Sequence, residues 1–234
     1  MHAPRTQTLR KPRPRARFLN EDLVRLAAYA ESGEFQLDRR CQHLLVGISG
    51  SIAAAFMPSS LLWLRRNTPL KAIDVVLTRA ASTMVSRLAL AAIAGGEVHE
   101  EEGRDIETSK PLHITLTKRA DAFLVMPATA NLLGKAANGI ADDLLSTSIV
   151  SASCPVVFAP CMNSKMWNHP AVRRNVQTLR NDGHHVIDPA EGYSIACGTV
   201  ESGALPHIAT ILPLISSLVI KIKKRSSHRS DIRS

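Results

Sequence analysis

The chain has 234 residues, enough for one domain with a sizeable core and too few for two full domains. Hydrophobic residues make up 45%, and Ser, Gly, Pro or charge interrupts every apolar stretch well before 18 residues, which excludes a transmembrane helix. No apolar segment directly follows the basic N-terminus, so a secretory signal is not indicated and a cytoplasmic location is predicted.

The net charge of +9 resides in the two ends of the chain. Residues 1–17 and 221–234 together hold 12 basic residues and one acidic residue, whereas residues 18–220 hold 17 basic and 19 acidic residues. The central part is therefore close to neutral. Basic tails are more typical of solvated or docking segments than of proteins that recognise a nucleic-acid sequence. We therefore expect neither nucleic acid nor a membrane as a partner.

Composition also predicts the organisation of the chain. Residues 1–41 are predicted to form a basic, partly disordered extension with a short helix over residues 21–29. Residues 42–220 are predicted to form the folded domain, and residues 221–234 a basic tail. The four cysteines lie far apart without a C-x-x-C pair, which predicts free thiols and no metal site.

Strand and helix patterns alternate along the central segment. The strands are predicted at 43–48, 72–77, 122–126, 156–159 and 185–187. The helices are predicted at 51–66, 82–94, 113–118, 131–139, 142–152, 170–182 and 207–219. This alternation predicts an α/β fold with a single doubly wound parallel sheet, Rossmann-like or flavodoxin-like, with helices on both faces. Ligands of such sheets bind at the carboxyl ends of the strands.

The segment from Gly47 to Ala53 lies between the first predicted strand and the first predicted helix. Small residues such as Gly50 let a backbone approach a phosphate, and a helix N-terminus supplies free N–H groups. Ser49 and Ser51 add hydroxyl donors. The segment is neither a Walker A loop nor G-x-G-x-x-G, so a tight turn without a ligand remains an open alternative.

A second hydroxyl pair, Thr78 and Ser82, follows the second predicted strand. Hydroxyls at a second helix N-terminus would reach the same phosphate. The simpler interpretation, which the residues alone favour, is a helix N-cap at Ser82.

Two further loops begin with proline and follow the third and fourth predicted strands. Residues 127–131 read Pro-Ala-Thr-Ala-Asn, and residues 160–167 read Pro-Cys-Met-Asn-Ser-Lys-Met-Trp. Each places one amide side chain, Asn131 or Asn163, where ligands bind in such sheets. A purely structural turn seldom requires the pattern Met-Asn-x-x-Met-Trp.

Together these motifs resemble those of the homo-oligomeric flavin-containing cysteine decarboxylases. This family includes phosphopantothenoylcysteine decarboxylase of coenzyme A synthesis and the peptidyl-cysteine decarboxylases of lantibiotic maturation. The resemblance covers roughly residues 42–215. It rests on Gly-Ser-Ile-Ala at 50–53, on His113 ahead of a Lys-x-Ala-Asp run, on the two proline loops, and on Ala-Cys-Gly at 196–198.

The resemblance implies a flavin, FMN or FAD, and a role for particular residues. The implied flavin contacts are Gly47, Ser49, Gly50, Ser51, Ile52, Thr78, Ser82, Pro127, Ala128, Thr129, Asp143 and Ser146. The implied catalytic residues are His113 and Asn163, and the implied substrate contacts are Asn131, Met162, Asn163 and Cys197. A histidine suits proton transfer because its ordinary pKa of about 6.5 lies near neutrality. A neutral amide binds a carboxylate without stabilising the ground state too strongly.

The resemblance also implies a reaction and an assembly. Flavin-mediated oxidation of the cysteine side chain gives a thioaldehyde, which acts as an electron sink so that carbon dioxide leaves and an ene-thiol forms. Relatives of this kind are trimers, or dodecamers made of trimers, with the active site at a subunit interface.

Two branches of this family differ in their substrate. The coenzyme A branch carries Gly-x-Gly-Arg after Ala-Cys-Gly, whereas here only Gly203 of that portion remains and Ala204 replaces the arginine. A Tyr-Lys of that branch is also absent, since residues 55–57 read Ala-Phe-Met. We therefore favour a peptide with a C-terminal cysteine, although Cys197 favours phosphopantothenoylcysteine. A non-catalytic flavin-fold regulatory protein is the third possibility.

Overall fold

The computed structural model of the protein describes residues 37–101, 103, 109–194 and 198–230. Its strands are β1 (His43–Ile48), β2 (Ala72–Leu77), β3 (Gly95–His99), β4 (Ala122–Ala128), β5 (Val156–Pro160) and β6 (His185–Val186). These six strands are parallel and form one sheet in the order β3-β2-β1-β4-β5-β6. The order reverses between β1 and β4, which is the doubly wound arrangement predicted from the sequence.

Helices connect the strands, and a separate hairpin follows β6. The helices are α1 (Met57–Asn67), α2 (Arg79–Ser82), α3 (Arg87–Ala94), α4 (Leu112–Arg119), α5 (Ala130–Ala137), α6 (Leu144–Ser151), α7 (Ser164–Trp167), α8 (Pro170–Asn181) and α9 (Ile208–Ser230). A 3-10 helix, Ile52–Phe56, precedes α1. The hairpin consists of β7 (Ala190–Ser194) and β8 (Thr199–Ala204), which pair in antiparallel fashion.

The sheet separates two apolar cores because successive side chains of a strand point to opposite faces. In β4, Leu124 and Met126 belong to one core, and Phe123 and Val125 belong to the other. Helices α1, α3 and α9 cover the first face, and helices α4, α5, α6 and α8 cover the second. This division decides which loop residues can share a site.

The predicted strands are confirmed, but the edge strand β3 was not predicted. The predicted helix end at residue 94 is correct, since Gly95 caps α3 with a φ of 68°. The chain then continues directly into an edge strand in which only Val98 is buried, so no apolar run marks it. The strand is held instead by the Glu97 N–H, which donates to Asp74 Oδ1 at 3.0 Å.

Three helix predictions were wrong in detail. Residues 82–94 are not one helix with a cap at Ser82, because Thr78 caps α2 and Ser86 caps α3. Helix α1 begins only at Met57, which leaves Pro58 in its first turn, where a missing N–H removes no hydrogen bond. Helix α9 runs on to Ser230, well beyond the predicted end.

Several predictions lie outside the described residues. These are the disordered extension and the helix at 21–29, and Cys197 in the segment 195–197. Within the described part of the chain, no helix is long and apolar enough to cross a membrane. The described part also holds no cluster of metal-binding side chains, and its cysteines, Cys41, Cys154 and Cys161, are free thiols.

Candidate active site

A cavity of about 530 Å³ opens at the carboxyl end of the sheet on its first face. The loops after β1, β4 and β5 line it, together with β8, Tyr193 of β7 and the start of α9. Its volume lies within the range of small-molecule sites, about 300–1,000 Å³. Six of the residues that the sequence singles out line this cavity: Gly50, Ser51, Ile52, Thr129, Met162 and Asn163.

The buried Ser49 joins the loops after β1 and β4. Its hydroxyl donates to the Pro127 carbonyl at 2.8 Å and accepts from the Thr129 N–H at 2.9 Å. The Ser49 N–H also donates to the Pro127 carbonyl at 3.2 Å. In the structure Ser49 therefore holds the two loops in register, and Thr129 rather than Ser49 faces the cavity.

The loops after β1 and β2 approach each other through small residues. A Cβ on Gly50 would lie 2.4 Å from the Ala80 Cβ, so only glycine allows this contact. Ser51 accepts from the Ala53 N–H and Thr78 from the Ala81 N–H, which places one hydroxyl at each of two neighbouring helix starts. Hydroxyls and backbone N–H groups at helix starts suit a phosphate, and the adjoining cavity suits a flat ring system. The residues present therefore fit a flavin.

The two ends of the Asn163 side-chain amide have different surroundings. Its Oδ1 accepts from the Met166 N–H at 2.9 Å and so caps α7. Its Nδ2 has no hydrogen-bond partner among the described residues, and the half-buried side chain lines the cavity. The amide thus presents donors, and no acceptor, to a ligand, which is the arrangement that a carboxylate requires.

His113 lies on the other face of the sheet. It is the second residue of α4, a helix that packs into the second core through Leu112 and Leu116. The cavity lies at the carboxyl edge, where Met126 and Ile208 of its lining belong to the first core and Met162 packs beside the second. Among the residues that the structure describes, His113 is not in the lining. The cavity of one chain therefore presents Asn163 without His113.

A family model described as Flavoprotein matches residues 33–220. The chain belongs to the flavoprotein family. The doubly wound sheet and the open loops at its carboxyl edge agree with this assignment.

Relatives of this flavoprotein include both a coenzyme A biosynthesis protein and a mersacidin decarboxylase. The coenzyme A biosynthesis bifunctional protein CoaBC of Bacillus subtilis strain 168 is 40% identical over 176 residues, which are 74% of this chain and only 42% of that protein. Mersacidin decarboxylase of Bacillus sp. strain HIL-Y85/54728 is 35% identical over 191 residues, which are 80% of this chain and 94% of that protein. The structure of the FMN-dependent cysteine decarboxylase SpaF matches with a TM-score of 0.66 and 34% identity, covering 78% of this chain and 98% of that one.

Some residues that the resemblance assigned to the flavin support the fold of this flavoprotein instead of lining the cavity. A Cβ on Gly47 would lie 2.5 Å from Leu145 Cδ1, so Gly47 lets α6 pack on the sheet. Ser82 is the last residue of α2, and its hydroxyl donates to Glu100 Oε1 at 2.8 Å. Pro127 and Ala128 are buried at the end of β4.

The remaining predicted contacts also lie elsewhere in the structure. Asn131 is exposed in the first turn of α5 and is outside the described lining of the cavity. Asp143 and Ser146 form a capping box at the start of α6, in which the Ser146 N–H donates to Asp143 Oδ1 at 2.7 Å. The loop before α6 also carries Asp142, which pairs with Lys135 at 2.6 Å.

Asp143 is linked to Lys135 across the loop between α5 and α6. Lys135 Nζ lies 3.0 Å from Asp143 Oδ2. Burial alone would raise the pKa of Asp143, but hydrogen bonds from the Ser146 backbone and from Lys135 outweigh it and hold that pKa below its ordinary value. A carboxyl whose pKa is lower in the folded than in the unfolded protein stabilises the fold at pH values above its unfolded pKa. This stabilisation is lost as the pH falls through the folded pKa.

We expect Asp143→Asn to weaken the protein near neutral pH by about 0.2–1 kcal/mol, because solvent screens this partly exposed pair. Asparagine still caps a helix, so the variant removes the charge and keeps the cap. The difference in unfolding free energy from the wild type should shrink as the pH falls below about 3.9, the ordinary Asp value. Urea unfolding at several pH values measures it, and a difference that grows on acidification would contradict the assignment.

The hairpin strands β7 and β8 are the part of the site that the sequence did not predict. Its β8 strand rests directly on the loop after β5, since the Met162 N–H donates to the Gly203 carbonyl at 3.1 Å. Gly203 has a φ of 138°, and a Cβ there would lie 1.9 Å from the Met162 oxygen. Tyr193 of β7 also lines the cavity, with 65% of its surface exposed. The Ala-Cys-Gly motif marked this region, but no alternating apolar pattern marked its strands.

Proposed function

We propose that this flavoprotein catalyses the flavin-dependent oxidative decarboxylation of the C-terminal cysteine of a ribosomally made peptide. The product is an aminoenethiol from which an aminovinyl-cysteine ring forms. The observation that carries the proposal is the open amide donor of Asn163 in a cavity whose described lining contains no lysine or arginine. Such a lining suits a carboxylate that must leave as neutral carbon dioxide. Similarity to mersacidin decarboxylase over nearly its whole length supports the same reaction.

The flavin, for which similarity to SpaF supports FMN, is held by the loops at the carboxyl edge. Gly50, Ser51 and Thr78 supply the close backbone approach and the hydroxyls for its phosphate. The cavity residues Ile52 and Thr129 would line the space for its ring system. When bound, a flavin would supply the two-electron oxidation by which the CH2–SH group of the cysteine becomes a thioaldehyde.

Asn163 binds and orients the substrate carboxylate. With Oδ1 committed to the Met166 N–H, its Nδ2 hydrogens are directed to one carboxylate oxygen or both. The amide is uncharged, so it positions the carboxylate with less ground-state stabilisation than a cation would give. When the carbon–carbon bond breaks, its electron pair moves onto the thioaldehyde, and the ene-thiol and carbon dioxide result.

His113 takes up the proton that the substrate releases. Because α4 covers the second face of the sheet, we infer that His113 serves the cavity of a neighbouring subunit. A closed homo-oligomer, either a trimer or a dodecamer of trimers, then completes each site from two chains.

Mass spectrometry of the flavin-loaded protein with two candidate substrates tests the proposal. A peptide ending in cysteine should lose about 46 Da, the mass of carbon dioxide and two hydrogens. The same peptide with a C-terminal carboxamide is the control and should keep its mass. An unchanged cysteine peptide would overturn the proposal.

The second candidate is phosphopantothenoylcysteine decarboxylation, which the 40% identity to CoaBC favours. The described lining contains no lysine or arginine for the substrate phosphate, which disfavours it. A loss of about 44 Da, carbon dioxide alone, from phosphopantothenoylcysteine but not from the peptide would select this candidate.

A further inference from the structure

A single carboxylate fastens the hairpin to the loop that carries Asn163. Glu201 of β8 accepts through Oε2 from the Ser164 N–H at 3.2 Å. The same oxygen also accepts a short hydrogen bond from the Ser164 hydroxyl. Ser164 directly follows Asn163 in the chain and is the first residue of α7.

Among the contacts of the described residues, two hydrogen-bonded links join the hairpin to the loop, and this is the first of them. The other is the backbone bond from the Met162 N–H to the Gly203 carbonyl. The two contacts flank Asn163, with one on the residue before it and one on the residue after it. The backbone of Asn163 is therefore held from both sides by β8, while its Oδ1 is held by α7.

We propose that Glu201 is a positioning residue that orients the Asn163 amide toward the substrate carboxylate. The inference rests on the proposed function. It states that the hairpin, through Glu201, orients the group proposed to bind the substrate carboxylate. One Glu201 oxygen accepts from both the N–H and the hydroxyl of Ser164, so a single acceptor makes two hydrogen bonds to a short loop. A displacement of the donor by about 1 Å costs up to about 100-fold in rate, so a remote anchor of this kind has a measurable effect.

The test compares Glu201→Ala with Glu201→Gln and with Glu191→Ala. Glutamine keeps an acceptor oxygen for Ser164. Glu191 is an exposed glutamate of the same hairpin and lines no part of the described cavity, so its loss is the matched control for charge and location. Each change is made in the flavin-loaded His113→Asn protein, in which a peptide ending in cysteine binds without being consumed.

Two measurements are made on each variant. Glu201→Ala should raise the Kd of the peptide with a free C-terminal carboxylate by about 10- to 100-fold and leave the Kd of the carboxamide peptide unchanged. Glu201→Gln and Glu191→Ala should bind both peptides as the parent does. Amide hydrogen exchange over residues 162–166 should be faster in Glu201→Ala alone, whether or not the peptide is the substrate.

The outcomes separate this inference from the proposed function. Unchanged exchange in Glu201→Ala, or an equal loss of affinity for both peptides, would overturn the positioning role. Faster exchange in Glu201→Ala combined with a wild-type protein that leaves the cysteine peptide intact would instead overturn the proposed substrate, while the link from Glu201 to the Asn163 loop would stand.

Discussion

Replacing His113 with asparagine should lower the rate of decarboxylation by about 100- to 10,000-fold, the usual contribution of a general acid or base. The protein should still bind flavin, because the residues proposed to hold the flavin phosphate, Gly50, Ser51 and Thr78, are unchanged. Binding of the cysteine peptide should also persist, since the variant keeps Asn163, the proposed contact of the carboxylate. Single-turnover flavin reduction and product mass measure the loss directly.

His169→Asn is the matched control for this change. His169 caps α8 by accepting from the Ala171 N–H through Nδ1, and asparagine fills an N-cap equally well. This variant should therefore turn over as the wild type does. Near-normal turnover in His113→Asn would remove His113 from the mechanism, while the protein itself would stand as a catalyst.

Asn163→Asp should lower kcat/KM by about 100- to 1,000-fold, the usual cost of losing a hydrogen-bond donor at a reacting group. Aspartate is as good an N-cap as asparagine, so α7 should remain capped and the melting temperature should stay close to that of the wild type. The group facing the cavity, however, changes from an amide donor to a carboxylate oxygen. That oxygen repels the substrate carboxylate.

Asn163→Ser separates the two parts of this effect, because serine caps the helix but carries neither the amide nor a charge. It should fall between the wild type and Asn163→Asp in kcat/KM. Equal activity of the wild type and both variants would show that Asn163 serves α7 alone.

Mixing the two inactive proteins tests whether the site is shared between subunits. If His113 and Asn163 of one site come from different chains, random exchange of His113→Asn and Asn163→Asp subunits should restore about a quarter of the sites. Size-exclusion chromatography of the mixture verifies that the subunits have exchanged. If both residues came from one chain, no mixed oligomer would contain an intact site, and activity would not return.

The strands of the sheet were predictable because their signal is local. Residues 43–48 and 72–77 are short apolar runs bounded by turn residues, and the structure places β1 and β2 at those bounds. A strand buried on both faces is apolar at nearly every position, with Asp74 the exception in β2, so its sequence carries the information needed to recognise it. The edge strand β3 and the hairpin lacked that signal because they are largely exposed, so no continuous apolar run marks them.

The chemistry-bearing residues were predictable in type but not in arrangement. The pattern around Asn163 marked it as a ligand contact, and the structure places it in the cavity. The Asn163 oxygen accepts a hydrogen bond from α7, so the donor end of the amide is left for a ligand. No motif specifies this hydrogen bond. The resemblance assigned Ser49 and Gly47 to the flavin, which stays a prediction, and the structure shows that Ser49 also joins two loops and that Gly47 lets α6 pack on the sheet.

The sequence by itself determined the fold class, the flavin-family motifs and the residue types at the carboxyl edge of the sheet. These depend on apolar periodicity and on small or polar residues within windows of a few positions. Only the tertiary structure decided that the cavity lining holds Asn163 without His113, and that Glu201 contacts the Asn163 loop. Glu201 and Ser164 are 37 positions apart, and contacts of that kind form only when the packed sheet brings distant segments together.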